Sequence, residues 1–380
     1  MPVKVRTLSE SLAHRGHAVT VLTAYLGSSE WRAEAMTPEE TPDGFRAALN
    51  GVEAVYTLSW PVYRTLTFNP GLPHVSKALL QRIDIVHFYG LYDFFGPIVS
   101  HYCRRQRIPY MIEPMGMFRP IDRNFAMKRL WHRTIGRPFL RGAAKLIATS
   151  ELEQDELAEG IPPAKIIVRY NGVDASAYTP LPPRGAFRAK WNISRDQPVV
   201  LLLSRLIPRK GADILIQAFA EACPESARLV IAGPEGERDY VSYLQRRAKE
   251  CDVESRVVFP GPVYGDNKKA LLADTDLFAL PSRYENFANA PAEAIACGVP
   301  VIISDACGIR SLVAGQAGLV ISPSKEALAD ALRKMTGDPE LYARMKAGCR
   351  QVTEQLSWDR VTERMESYYA EVLAQREPSH

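Results

Sequence analysis

Nowhere in the 380 residues is there an apolar run of about 18, so no segment reads as a helix that crosses a bilayer. The opening MPVKVRTLSE lacks the apolar core and cleavage site of a secretory leader. Cysteine is scarce: Cys103, Cys223, Cys251, Cys297, Cys307 and Cys349 form no Cys-x-x-Cys pair and do not cluster with histidine. A disulfide framework or zinc site is therefore not expected, no metal or cofactor is assigned, and a reducing cytoplasm fits best. A strong excess of one charge is missing too, since 47 basic and 43 acidic residues leave +4. That balance gives no reason to expect a nucleic-acid partner. Short-period repeats and low-complexity segments are also missing.

What the chain has is alternation. Its length suits two domains. AVTVLTA (18–24), DIVHFY (84–89), PYMIEP (109–114) and KLIATS (145–150) read as strands without polar alternation, as in a parallel sheet covered on both faces. Helical stretches such as Phe94–Arg105 and Glu151–Glu159 lie between them. The turn-rich segment 170–185 reads as a linker. A second series follows: VVLLLS (199–204), RLVIAG (228–233), VVFPG (257–261), DLFALPS (276–282) and VPVIIS (299–304). The fold class expected is α/β, with two doubly wound, Rossmann-like domains facing each other across a cleft. The boundaries expected are 1–172 and 173–356. In the closing amphipathic stretch, Val361, Met365, Tyr368 and Val372 recur at helical spacing. That helix, 357–375, is expected to pack back onto the first domain.

In doubly wound sheets ligands gather at the carboxyl ends of strands. After VVLLLS come Arg205 and Lys210, just before a helical run. A helix start favours anions through its unpaired N–H groups, and a guanidinium and an ammonium beside it suit a diphosphate. The plainer reading is a pair of solvated loop charges. After DLFALPS come Glu285, Asn286, Phe287, Ala288 and Asn289, then the helical PAEAIAC. Pro291 belongs in a first turn, so that helix is expected to start near it, capped by Asn289 or Ala290. Carboxylates would repel a diphosphate, so Glu285 and Glu293 call for hydroxyls instead. The free N–H groups of 287–291 could still hold phosphate. Taken singly, Glu285 is a loop acid and Glu293 a first-turn acid favoured by the helix dipole. Together with the Arg/Lys pair they suit a sugar nucleotide.

These segments carry a resemblance. SRLIPRKGADILIQAF and PSRYENFANAPAEAIACGVPVI are similar to the two signature segments of retaining family 4 glycosyltransferases of the GT-B fold, and NGVD (171–174) and RGHAVTVLTA (15–24) resemble further family segments. The resemblance implies that Arg205, Lys210 and Glu285 form the catalytic group, with the cations on the donor diphosphate and Glu285 near the transferred sugar. It implies that Glu293 binds the ribose diol, that Asn286 and the backbone from Phe287 to Ala290 contact sugar and phosphate, and that Gly233 lets the nucleotide approach. Val263 and Tyr264 would flank the base. The donor implied is a nucleoside-diphosphate hexose, a UDP-sugar by preference, and the acceptor a glycan or lipid-linked molecule in polysaccharide or glycolipid assembly. No metal is implied. A disaccharide synthase or phosphorylase, and a non-catalytic nucleotide-sugar binder, stay open as alternatives.

Other signals weigh less. Asp274-Thr-Asp276 matches a metal-binding pattern but precedes its strand, on the wrong side for chemistry. His87 is an acceptor-side candidate, with a structural histidine as the alternative. The family often has a histidine where Met115 stands, so Met115 receives no role. Between Arg119 and Lys145 eight basic residues face one acid, Asp122, with Phe125, Leu130, Trp131 and Phe139 interleaved. The stretch 119–145 is expected either to be a solvated basic face or to attach to an anionic membrane surface, which would make the protein peripheral at the inner face of the cell membrane. RTLSESLAHRGH (6–17) resembles a first domain helix that the family precedes with a strand and a glycine-rich turn. The first domain is thus expected to lack its first strand, or to begin upstream.

Overall fold

A computed structural model describes residues 3–25, 39–63, 66–119 and 125–375. The chain divides into two compact units, Met1–Arg169 with Trp358–His380, and Tyr170–Ser357. The dividing points fall within a few residues of 172 and 356.

The N-terminal unit opens with the helix Val3–His14. Its first sheet holds β1 (Val19–Tyr25), β2 (Glu39–Thr41), β3 (Gly44–Leu49) and β4 (Val52–Leu58), in the order β1-β4-β3-β2. Only β1 and β4 are parallel; β2, β3 and β4 form an antiparallel meander. The expectation of a wholly parallel sheet fails here. Leu49 pairs with Val52 across a two-residue turn, and Asn50 and Gly51 both take positive φ, 49° and 80°. Asn-Gly is the sequence sign of such a turn, and it was there to be read. A ribbon of β5 (Trp60–Tyr63) and β6 (Leu66–Phe68) follows. The second four-stranded sheet is all parallel, with β7 (Val86–Tyr89), β8 (Tyr110–Glu113), β9 (Lys145–Ala148) and β10 (Ile166–Val168) in sequence order. β1 and β7 end separate sheets and share no ladder.

The helix Trp358–Ala374 packs on this unit. Val361, Met365 and Val372 are buried, Tyr368 donates to the Val168 carbonyl at 3.3 Å, and Arg15 and His17 both meet Glu366 at 2.8 Å.

The C-terminal unit is built on one parallel sheet, β11 (Val199–Leu203), β12 (Arg228–Ala232), β13 (Val257–Gly261), β14 (Leu277–Leu280), β15 (Val301–Ser304) and β16 (Gly318–Ile321). Every residue of β11, β14 and β15 is buried, which matches their unbroken apolar sequences. The order is β13-β12-β11-β14-β15-β16. It reverses direction between β11 and β14, and such a switch point leaves a crevice at the carboxyl ends of the two strands.

Candidate functional site

The loops leaving β11 and β14 meet at that crevice. After β11, Leu206 is buried and fastens the loop: its N–H donates to the Pro234 carbonyl at 2.9 Å, and its carbonyl accepts from Gly236 at 3.0 Å. Arg205 is exposed, with its stem along Gly236. It makes no ion pair among the described residues. The turn Pro208–Lys210 ends at Gly211, whose φ is 75°. A Cβ there would stand 2.4 Å from the Pro281 carbonyl oxygen, so only glycine lets the two loops touch. The contact is reinforced by the Arg283 N–H, which donates to the Arg209 carbonyl at 2.8 Å.

This fastening brings Lys210 and Glu285 into an ion pair. Lys210 is 12% and Glu285 21% exposed, so the pair is largely shielded from water. The backbone of Glu285 is held on both sides. Its N–H donates to the Ala306 carbonyl and its carbonyl accepts from Gly308, each at 2.9 Å. Burial, reinforced by repulsion from Arg209 and Arg205, brings the Lys210 ammonium down to about 8.

The next helix runs Asn289–Ala296, two residues ahead of the start expected at Pro291. Its cap is Ala288, not Asn289 or Ala290. Asn289 was a reasonable cap by residue type, but its side-chain oxygen accepts from Asn171 at 3.2 Å instead. Ala288 is buried and left-handed, φ 83° and ψ 70°. The N–H groups of Asn289 and Ala290 have no partner one turn back, as at any helix start, and Pro291 has none to offer. Phe287 sends its ring into the core, which leaves its backbone for any ligand. Asn286 is half-buried. Glu293 receives Lys268, at 2.6 Å, from the helix Gly265–Ala273. Val263 packs partly on the core, and Tyr264 stands 69% exposed ahead of that helix. Gly233 is required for an internal reason: a Cβ would lie 1.7 Å from the Ser204 carbonyl oxygen.

Asp274 and Asp276 are occupied elsewhere. Asp274 accepts from the N–H groups of Gly185, Phe187 and Arg188 at 2.6, 2.9 and 3.1 Å. Asp276 accepts from the Val199 N–H at 2.9 Å and the Arg188 guanidinium at 2.8 Å. Both carboxylates tie the segment Gly185–Arg188 to the sheet.

His87 lies in the N-terminal unit. Its side chain is 9% exposed; Nδ1 meets the Tyr369 hydroxyl at 2.8 Å and Nε2 lies 3.7 Å from Glu113. Burial brings the imidazole down to about 3, so it is neutral at physiological pH. Glu113, fully buried at the end of β8, forms ion pairs with Lys4 and with the fully buried Arg169. Burial would raise its pKa, but Arg169, then Lys4, outweigh that and hold it at about 2. His87 is thus part of an internal ionic cluster, which favours its structural reading. Sequence reasoning missed that cluster and missed Lys268. A carboxylate inside the apolar PYMIEP was a usable sign of the first; nothing sets Lys268 apart from the Lys269 beside it.

Comparison with known proteins adds family information. The family described as Glycosyltransferase Family 4 matches residues 3–177, and that described as Glycosyl transferases group 1 matches residues 183–352. A D-inositol 3-phosphate glycosyltransferase of Xylanimonas cellulosilytica is 32% identical, over 99% of this chain and 92% of its own length. A GDP-mannose-dependent monoacylated alpha-(1-6)-phosphatidylinositol monomannoside mannosyltransferase of Corynebacterium glutamicum is 34% identical over 51% of this chain and 53% of its own. Among solved structures, Anabaena Alr3699/HepE in complex with UDP shares the fold at a TM-score of 0.75, with 19% identity over 97% of this chain and 95% of the other.

Proposed function

This chain belongs to the group 1, family 4 glycosyltransferases, and from that premise we propose that it moves a hexose, with retention and without a metal, from a nucleoside-diphosphate sugar to a glycan or lipid-linked acceptor. The observation that carries the reading is the contact of Lys210 with Glu285 at the switch point of the C-terminal sheet. An ammonium suits the diphosphate and a carboxylate suits sugar hydroxyls. Two such groups in contact mark the junction of sugar and phosphate, where the bond to be broken lies. Arg205, free at the loop, adds a second cation. The amides of Asn289 and Ala290 add donors of the kind that hold phosphate at helix starts. Glu293 is assigned to the ribose diol, with Lys268 and Tyr178 beside it. Val263, Tyr264 and Gly233 are assigned to the nucleotide.

As the glycosidic bond breaks, charge builds on the leaving diphosphate. Fixed cations therefore favour the transition state over the ground state. The departing phosphate can take the acceptor proton on the same face, so neither a protein base nor a metal is needed. A UDP-sugar is the preferred donor. A lipid-linked acceptor agrees with the lipid acceptor named for the Corynebacterium relative. It also agrees with attachment of the stretch 119–145 to an anionic membrane. Asp122 and Arg123 of that stretch lie outside the described residues.

The test is a thermal-shift screen of sugar nucleotides, because a ligand that binds only the folded state raises the midpoint. A UDP-hexose at 100 times its dissociation constant stabilises by about 2.7 kcal/mol. Lys210→Ala is expected to remove most of that shift. A GDP-sugar shift without a UDP-sugar shift would change the donor; no shift with any sugar nucleotide would defeat the reading. D-inositol 3-phosphate, the acceptor in the name of the Xylanimonas relative, is the acceptor arm that could displace the lipid-linked choice.

A further inference from the structure

The helices Phe125–Arg133 and Gly136–Gly142 hold most of the basic stretch, and the structure gives them a shape the sequence does not show. Arg133, Arg137 and Arg141 line a concavity of about 350 Å3 beside Leu140 and Ile161. A second hollow of about 270 Å3 shares Arg141, Leu140 and Ile161 and adds Lys165. Among the described residues no carboxylate lines either hollow. None of the three guanidinium groups has an acidic partner among the described residues. Lys165 donates to the Arg141 and Ala143 carbonyls, each at 2.9 Å. Like charges repel, so their convergence without a counter-charge favours an anion. Guanidinium forks pair best with phosphate oxygens, two at a time.

The same helix identifies the source of the phosphate. Trp131 is its one buried side chain, while Phe125, Met127 and Leu130 are 59%, 51% and 62% exposed, and Ile135 just beyond is 40% exposed. Large apolar side chains standing in water next to unpaired arginines suit an interface whose charge lies above hydrocarbon. A soluble phosphate would leave those side chains without use.

We propose that Arg133, Arg137 and Arg141 form a seat for the headgroup phosphate of an anionic phospholipid, with Phe125, Met127, Leu130 and Ile135 entering the acyl boundary around it. The proposal rests on the membrane reading above and sharpens it from a diffuse basic face to a built site.

The experiment is co-sedimentation of the full chain with phosphatidylcholine vesicles, alone or with phosphatidic acid. The protein is expected to follow the anionic vesicles. The variant Arg133→Gln/Arg137→Gln/Arg141→Gln is expected to bind them roughly a hundredfold more weakly, at about 1 kcal/mol per basic residue near the surface. A control, Arg238→Gln/Arg246→Gln/Arg350→Gln, removes equal charge from exposed positions of the other unit and is expected to bind within about twofold of the parent. Equal losses in both variants would overturn the seat while leaving membrane attachment by net charge. Equal binding to neutral vesicles, or none to either, would overturn both. Thermal protection by glycerol 3-phosphate through these arginines, without vesicle binding, would assign the seat to a soluble phosphate and overturn the lipid. Donor-induced thermal shifts are expected to be unchanged in the triple variant, so failure of the seat is distinguishable from failure of the transferase reading.

Discussion

Lys210 sits where its ammonium loses part of its hydration, so it gives up its proton near pH 8 rather than 10.5. Below pH 8 the ligand-free protein carries the cation that a diphosphate needs. As pH rises through 8 that charge is lost, while an ordinary lysine keeps it. Donor kcat/KM is therefore expected to fall above pH 8. Lys210→Arg is expected to move that limb upward, since guanidinium does not titrate there. Lys210→Ala and Arg205→Ala are each expected to lower kcat by about 10²–10³. Arg205 is exposed, so its removal should leave stability within about 0.5 kcal/mol. Initial rates across pH 6–10, with melting curves of each variant, check all three. Turnover close to the parent in either alanine variant would remove it from the catalytic group.

Among secondary-structure elements, the helix Asn289–Ala296 shows what could be read and what could not. Its existence followed from PAEAIAC and the proline. Its first residue did not, because a cap depends on where the preceding loop is held. Glu285 is pinned by Ala306 and Gly308, later in the chain, and between it and the helix Ala288 takes a left-handed conformation. A Cβ in this conformation costs roughly 1–2 kcal/mol. Ala288→Gly is expected to relieve the strain and stabilise the protein by about 1 kcal/mol, a rise of about 2–4 °C in melting midpoint for a unit of this size. A lower midpoint would show that the alanine methyl, packed in the core, contributes more than the strain costs. The strands of the C-terminal unit were legible because both faces are covered and their sequences are continuously apolar. β10, three residues long, and β16, which opens with glycine, were too weak as patterns to be read. That Gly233 is also required by the carbonyl of Ser204, just past the neighbouring strand, was not legible.

For the molecule as a whole, acid should act first through the ionic cluster of the N-terminal unit. His87 faces Glu113, Arg169, Lys4, Tyr89 and Tyr369. Its folded pKa, about 3, lies below the unfolded value of 6.5. Between those values the unfolded chain binds a proton that the folded chain refuses, so stability falls as pH drops below 6.5, by up to about 1.4 kcal/mol per unit. Glu113, with a folded value of about 2 against 4.5, adds a loss of the same sign below pH 4.5. His87→Gln is expected to flatten the melting midpoint between pH 6.5 and 4.5 and to leave, below 4.5, only the fall that Glu113 sets. Parallel curves for the two proteins would show that another group sets the acid limb. Two units could be inferred from length and alternation; of the charge cluster inside one of them only Glu113 within PYMIEP gave a sign, because its members lie at residues 4, 87, 113 and 169 and meet only in space.

The strand order of the C-terminal sheet also has a kinetic side. β11, β12 and β13 pair with sequence neighbours and can assemble early. β14 must return past both to reach β11, setting Leu277 beside Val200, a closure that is slow because the loop is long. Lys210 and Glu285 lie on either side of that seam. A chain in which β14 has not yet reached β11 therefore lacks the Lys210–Glu285 pair.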